Sequence, residues 1–382
     1  MLQHQSKQSR FPLLALFFAV SVNALASNTW YVNGVIGNNA NNGKTPATAY
    51  RTIGHAISKS ASGDSISVAA ATYRENLNIP HDLTIAGSPI VSATRTTIID
   101  GGHSATVVTI SNANAHVLLS QVTIRNGSGL LHGGGGIYNV GTLTIANTIV
   151  SGNSSDDSIA AIGGLGGGIY NAGKLTIIAS TVSGNSVSRF RLAASPYGGG
   201  IYNVGTLTVT NSTLSGNQAV DHWPAGVPYG GGIANESGRA IISNSTISKN
   251  SALIHTPFGI AGTYGGGIYN KGSAIAKFQN SILANNNSGG NCTGSLNSLG
   301  HNMSSDSTCH LNGPGDQQSI NPMLGALQNN GGPTNTMALL AGSPAINAGN
   351  PSGCTDGSGH LLTTDQRGWF RSTPCDIGAY EH

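Results

Sequence analysis

The string Gly134-Gly135-Gly136-Ile137-Tyr138-Asn139 returns at Gly166, Gly198 and Gly265, and once as the variant Gly230-Gly231-Gly232-Ile233-Ala234-Asn235. Successive copies start 32, 32, 32 and 35 residues apart. A fixed period in the 20–50 residue range marks a solenoid or an array of stacked units. Each unit continues alike. Gly141 to Asn153 reads G-T-L-T-I-A-N-T-I-V-S-G-N, and Gly205 to Asn217 reads G-T-L-T-V-T-N-S-T-L-S-G-N. Three short segments stand out per unit, and the middle one alternates apolar and polar residues as a strand does. None is long enough for a helix. Three short strands separated by Gly and Asn describe one triangular coil. The expected fold is therefore all-β: a single-stranded right-handed parallel β-helix.

The columns agree with stacking. Ile137, Ile169, Ile201, Ile233 and Ile268 share one position, and Val150, Val182, Leu214, Ile247 and Leu283 another. Coils laid on one another turn such columns into a continuous apolar core. Asparagines form columns too: Asn139, Asn171, Asn203, Asn235 and Asn270, then Asn153, Asn185, Asn217, Asn250 and Asn286. These are expected at sharp corners, where Asn tolerates the left-handed backbone, and in side-chain ladders along the rod. The triple glycines are expected to let the chain re-enter a strand without a Cβ clash. Less regular strands precede the repeats at Leu83–Ile85, Thr97–Ile99, Val107–Ile110 and Val122–Ile124. Thr52 to Ser60 reads as a short amphipathic helix with Ile53, Ala56 and Ile57 on one face. Residues 27–73 are expected to hold an N-terminal helical cap and the first strands, 74–290 the β-helix, and 291–382 a disulfide-bearing C-terminal region.

Composition bounds the function. Only 8% of the 382 residues are charged, Gly reaches 55 copies, and the formal net charge is +3. No cluster of Lys and Arg interleaves with aromatics, so no nucleic-acid partner is expected. Lys7 and Arg10 precede an apolar run from Phe11 to Val22, and Ala24-Leu25-Ala26 offers small residues for cleavage. That is a signal-peptide pattern over 1–26, too short to span a membrane. The chain is expected to be exported, to the extracellular medium or the cell surface, with the outer membrane or periplasm as further destinations. No later segment has the length of a transmembrane helix. Cys292, Cys309, Cys354 and Cys375 all lie in the last quarter, an even number suited to two disulfides. Proximity favours Cys292–Cys309 and Cys354–Cys375, although three pairings are formally open.

With these residues assembled, the chain resembles exported β-helix proteins of the pectate-lyase-like superfamily. Tyr31-Val32-Asn33, Asn42 to Ile53, Gly63-Asp64 and Thr72-Tyr73-Arg74-Glu75 carry the likeness at the N-terminal end. The C-terminal part is similar to the choice-of-anchor Q family. There the carrying residues are Asn321 to Gly325, Asn330 to Thr334, Gly342 to Gly349, Asp365-Gln366-Arg367-Gly368 and Cys375 to Glu381. Members often carry an anchoring tail. Here the motif ends one residue before His382, so simple secretion or non-covalent retention is expected. The family implies no enzymatic activity. The repeats also look somewhat like those of outer-membrane adhesins.

Lyases and hydrolases on this fold need clustered carboxylates. Between Gly101 and Gly300 only Asp156, Asp157, Asp221 and Glu236 are acidic, and all but the adjacent pair fall in different units. No phosphate loop, calcium repeat, H-E-x-x-H or nucleophile elbow occurs. Asp365, Arg367, Asp376 and Glu381 read as structural ion-pairing groups. No catalytic residue, metal or cofactor is expected.

Each unit exceeds a typical coil, and the excess follows the S-G-N corner, at about Ser154–Leu165, Ser186–Tyr197, Gln218–Tyr229 and Ser251–Tyr264. Insertions recurring at one position should stack on one face, often the binding face. They hold Arg189, Phe190, Tyr197, His222, Trp223, Tyr229, His255, Phe258 and Tyr264, which are the candidate ligand-binding residues. The expected protein is a monomeric, adhesin-like binder of polysaccharide or of a surface protein. The alternatives are a polysaccharide lyase or glycoside hydrolase of the same fold, and a passive envelope element.

Overall fold

The computed structural model describes residues 27–88, 96–129, 133–156, 164–189, 195–222, 226–255 and 262–382. The expected signal peptide lies outside them. The chain winds as a parallel β-helix of three long sheets, with ten, ten and eight strands. The first sheet contains the segments Thr142–Ala146, Lys174–Ile178 and Thr206–Thr210, the second Ile149–Ser151, Thr181–Ser183 and Thr213–Ser215, and the third Ile137–Asn139, Ile169–Asn171 and Ile201–Asn203. Register is strict: Leu143 pairs with Leu175 and Leu175 with Leu207, Val150 with Val182, and Ile137 with Ile169. Every strand of the repeats therefore lies on its own equivalent, and the apolar columns merge into one core. The less regular strands before them join the same sheets.

Polar columns line the corners. Asn139, Asn171, Asn203, Asn235 and Asn270 are buried, and each Nδ2 donates to the next Oδ1 at 2.7–2.8 Å. Asn153, Asn185, Asn217, Asn250 and Asn286 form a second ladder at 2.8–3.0 Å, which Asn291 extends. Such chains satisfy amides that burial would otherwise leave costly. Neither ladder adopts the left-handed backbone expected of it. That conformation belongs to a different column, Asn147, Ala179, Asn211, Asn244 and Asn280, with φ of 47–51°, and to Gly152, Gly184 and Gly216. A laddered amide must point inward at its neighbour above, so the tight corner falls to the adjoining residues.

Both ends are closed by non-repeating chain. The helix Ile53–Lys59 buries Ile53, Ala56 and Ile57, as its periodicity predicts, and Thr52 Oγ1 caps it by accepting from the His55 N–H. It packs against the strands Thr29–Val32, Asp64–Val68 and Leu77–Asn78. At the far end the sheets run on beyond residue 290, through Cys292–Thr293, Asn297–Ser298, Met303–Ser304 and Gln317–Gln318. These strands have two residues each, too short to show as a periodic pattern. Cys309 and Leu311 pack onto this end of the core, and Cys309 is bonded to Cys292. The second disulfide joins Cys354 to Cys375.

The remaining chain folds back along the outside of the second sheet. Gln366 is fully buried there. Its Oε1 accepts from Thr213 Oγ1 at 2.6 Å, and its Nε2 donates to Ser180 O, Thr181 Oγ1, Thr334 Oγ1 and Asn335 O. Asn211 and Asn244 donate to Thr364 O and Thr355 O. Ile282, Ala284, Leu339, Ala345 and Ile377 form a separate apolar cluster at the seam. Asp365 with Arg367, and Arg371 with Glu381, are buried ion pairs within this segment.

Candidate functional site

The inserted residues of each unit begin as strands. Ser154–Asp156, Ser186–Arg189, Gln218–Asp221 and Ser251–Ile254 make a fourth parallel sheet between the second and third. Each insertion returns through a residue bridged to its equivalents, Leu165 to Tyr197, Tyr197 to Tyr229 and Tyr229 to Tyr264. The three rings of that column stack, with centroids 4.8 and 5.4 Å apart and planes within 15°. Those separations are close to the spacing of neighbouring strands, so the backbone ladder itself sets them.

A second column stands beside it. Tyr138, Tyr170, Tyr202 and Tyr269 are the central residues of the I-Y-N strands, whose Ile and Asn point inward and leave the ring outside. Tyr138 lies 4.9 Å from Tyr170, and Tyr170 5.5 Å from Tyr202. The columns meet where Tyr197 contacts Tyr202 edge-on at 6.0 Å and Tyr229 lies 4.6 Å from Tyr269. Ala234 replaces tyrosine on the rung between Tyr202 and Tyr269. Glu236 stands two residues on. Its Oε1 is ion-paired with Lys271, and its Oε2 is buried without a hydrogen-bond partner. Burial, then the Glu236 carboxylate, then neighbouring tyrosines push the Tyr269 hydroxyl up to about 12. The same causes raise Tyr197 and Tyr202. Burial and the neighbouring carboxylate thus favour the neutral phenol at these three positions.

The sequence candidates divide three ways. Tyr197, Tyr229 and Tyr264 come together in the strip, with Tyr264 at 40% exposure the most open of them. His222 and His255 face each other at 5.4 Å at the ends of adjacent fourth-sheet strands. Arg189 is buried, and its Nη1 reaches Asp221 Oδ2 at 3.4 Å across paired strands. Its charge is thus committed within the fourth sheet. Phe190, Trp223 and Phe258 lie outside the described residues. Sequence reading missed Tyr138, Tyr170, Tyr202 and Tyr269, although they recur in the very motif that reveals the repeat. It weighed Glu236 only as an isolated acid and missed Lys271.

Among the described residues, no group of three or more His, Cys, Asp or Glu side chains could hold a metal ion. No helix among them is long and apolar enough to cross a membrane. No protein-family model matches the chain, and no curated protein does. Among solved structures, the pectate lyase Pel9A aligns at 15% identity, covering 94% of this chain and 98% of its own, with a TM-score of 0.45. A pectin methylesterase from Aspergillus niger aligns at 16% identity over 75% of this chain and 88% of its own, with a TM-score of 0.32. XylC, solved with xylose, aligns at 9% identity over 92% and 98%, with a TM-score of 0.31.

Proposed function

We propose that this chain is an exported, non-catalytic binding protein that holds an extended polysaccharide along its tyrosine strip. The observation that carries the reading is the pair of abutting tyrosine columns on the loop-bearing side. Stacked rings give a partly apolar wall, open at Tyr264 and carrying phenolic groups along its length. A hydroxyl-rich chain can meet such a wall with hydrogen bonds and CH contacts at low entropic cost, because the wall is already ordered. Two disulfides suit an oxidising compartment, which supports the export reading. The choice-of-anchor Q likeness fits a surface-retained protein.

Binding is favoured over turnover because the carboxylate beside the strip, Glu236, is ion-paired with Lys271, and Asp221 of the fourth sheet is paired with Arg189. The test is a glycan array run with a depolymerisation assay on the same preparation. Binding without release of reducing ends is expected, and Tyr264→Ala with Tyr269→Ala should weaken it at least tenfold. Cleavage by the wild-type chain would replace this reading with a lyase or hydrolase. Undiminished binding by the double variant would remove the strip from it.

A further inference from the structure

The first rungs of the second sheet carry a different surface. Thr72–Arg74, Thr97–Asp100 and Val122–Arg125 pair so that Arg74, Asp100 and Arg125 form one outward column. With Arg51 and Glu75 they line an open groove of about 460 Å³. That is within the usual size range of small-ligand sites. The chain is poor in charge, yet five charged residues meet here. Among the described residues, four arginines keep side chains out of the interior, and all but Arg239 line this groove.

The two carboxylates are already satisfied. Glu75 accepts the Ile53 and Gly54 N–H groups at 2.9 and 2.7 Å. Asp100 accepts from the Gly102 N–H, Arg125 Nε and Asn126 Nδ2 at 2.9–3.0 Å. Arg51 and Arg74 are exposed, and among the described residues neither has a carboxylate within ion-pair distance. The groove therefore has two uncommitted guanidinium groups and a third held by Asp100. Its remaining wall is Gly34, Thr52, Thr72 and the aromatic Tyr73. Among the described residues, the hydrogen bonds that the folded-back C-terminal segment makes to this side of the rod begin at Ala179, and Arg51 and Arg74 remain exposed.

We infer that this groove is a second binding site, for a saccharide carrying oxyanions, either uronate carboxylates or sulfate esters. Guanidinium forks pair with such groups bidentately, and a partly shielded groove strengthens the pairing. The saccharide class rests on the proposed function, whereas the selection for charge rests on the arginines alone.

The experiment measures affinity of the full chain for a galacturonate oligomer, a sulfated oligosaccharide and a neutral galactose oligomer of equal length, at low and high salt. The wild-type chain should prefer at least one anionic oligomer to the neutral one by tenfold or more, with the preference shrinking in salt. Which anionic oligomer binds identifies the oxyanion. Arg51→Gln with Arg74→Gln should abolish the preference and leave thermal stability and neutral-glycan binding unchanged. Tyr264→Ala with Tyr269→Ala should do the reverse, so that failure of the strip and failure of the groove are read separately. No preference in the wild-type chain, or a preference that survives the arginine variant, overturns the inference.

Discussion

At the residue scale, the same amino acid does different work according to its column. A Cβ on Gly199 would lie 2.3 Å from the backbone of Gln218, nineteen residues on in the same coil. Backbone on a ladder cannot step aside, so Gly199→Ala should cost about 3 kcal/mol or more. Gly216 has φ of +68° and its nearest neighbour at 3.9 Å, so Gly216→Ala meets only the left-handed penalty, about 1–2 kcal/mol. Urea midpoints of the two variants should separate accordingly. The asparagines part in the same way. Asn203 both donates to Asn235 and accepts from Asn171. Asn203→Ala should cost about 1–3 kcal/mol for each buried partner it strands. Asn147→Ala should be nearly silent, because Ala179 already occupies that column with the same backbone. The two kinds of asparagine were indistinguishable in the sequence. A period announces that positions are equivalent without saying which way a side chain points.

At the scale of elements, local pattern and distant contact differ in legibility. The three strands of a coil were plain because each repeats alternation and glycine punctuation every 32 residues. So was the helix Ile53–Lys59, whose buried face follows from spacing alone. The tyrosine strip was half legible. Its two columns come from different segments of the unit, and only the winding brings Tyr197 to Tyr202. The folded-back C-terminal segment was not legible at all. Its anchors are single polar side chains far apart in sequence: Thr213 meets Gln366 across 153 residues with no period to betray it. This segment is held by a few bonds rather than by a ladder, so it should yield first. Gln366→Leu removes every bond the side chain makes to Ser180, Thr181, Thr213, Thr334 and Asn335. Limited proteolysis should then cut between 319 and 382 while the solenoid resists. Equal resistance of both parts would show that the apolar seam suffices.

At the scale of the whole molecule, repetition makes length adjustable, but only where nothing non-repetitive leans on it. Excising residues 134–165 removes one full unit below the folded-back segment and should leave a folded, shorter rod. Excising 198–229 removes Thr213 and shifts the spacing between Thr181 and Thr246, so the C-terminal segment should detach. Circular dichroism with proteolysis separates the two outcomes. Acid should also loosen the molecule as a whole. Burial alone would raise Asp64 and Asp100, but it is outweighed by the Ala61, Trp30 and Asn28 donors at Asp64 and by Gly102, Arg125 and Asn126 at Asp100. Asp82 and Asp356 are lowered similarly, with His116 and His360 among their donors. A carboxyl held lower in the folded than in the unfolded chain stabilises above its unfolded value, near 4, and loses that contribution as pH falls through its folded value. Melting temperature should therefore be flat above pH 5 and fall steeply below 4, and Asp64→Asn should flatten the fall.

The two closed ends settle one more matter. A stack of parallel coils offers, at each terminus, a layer of unpaired amides and carbonyls matching those of any other copy, and an uncovered layer would recruit further molecules and propagate a fibre. The helix Ile53–Lys59 at one end and the disulfide-tied Cys309 segment at the other remove those templates. The number of coils is thus a property written into one chain, and the rod is expected to stay a discrete particle as concentration rises, which sedimentation velocity over a concentration series would check.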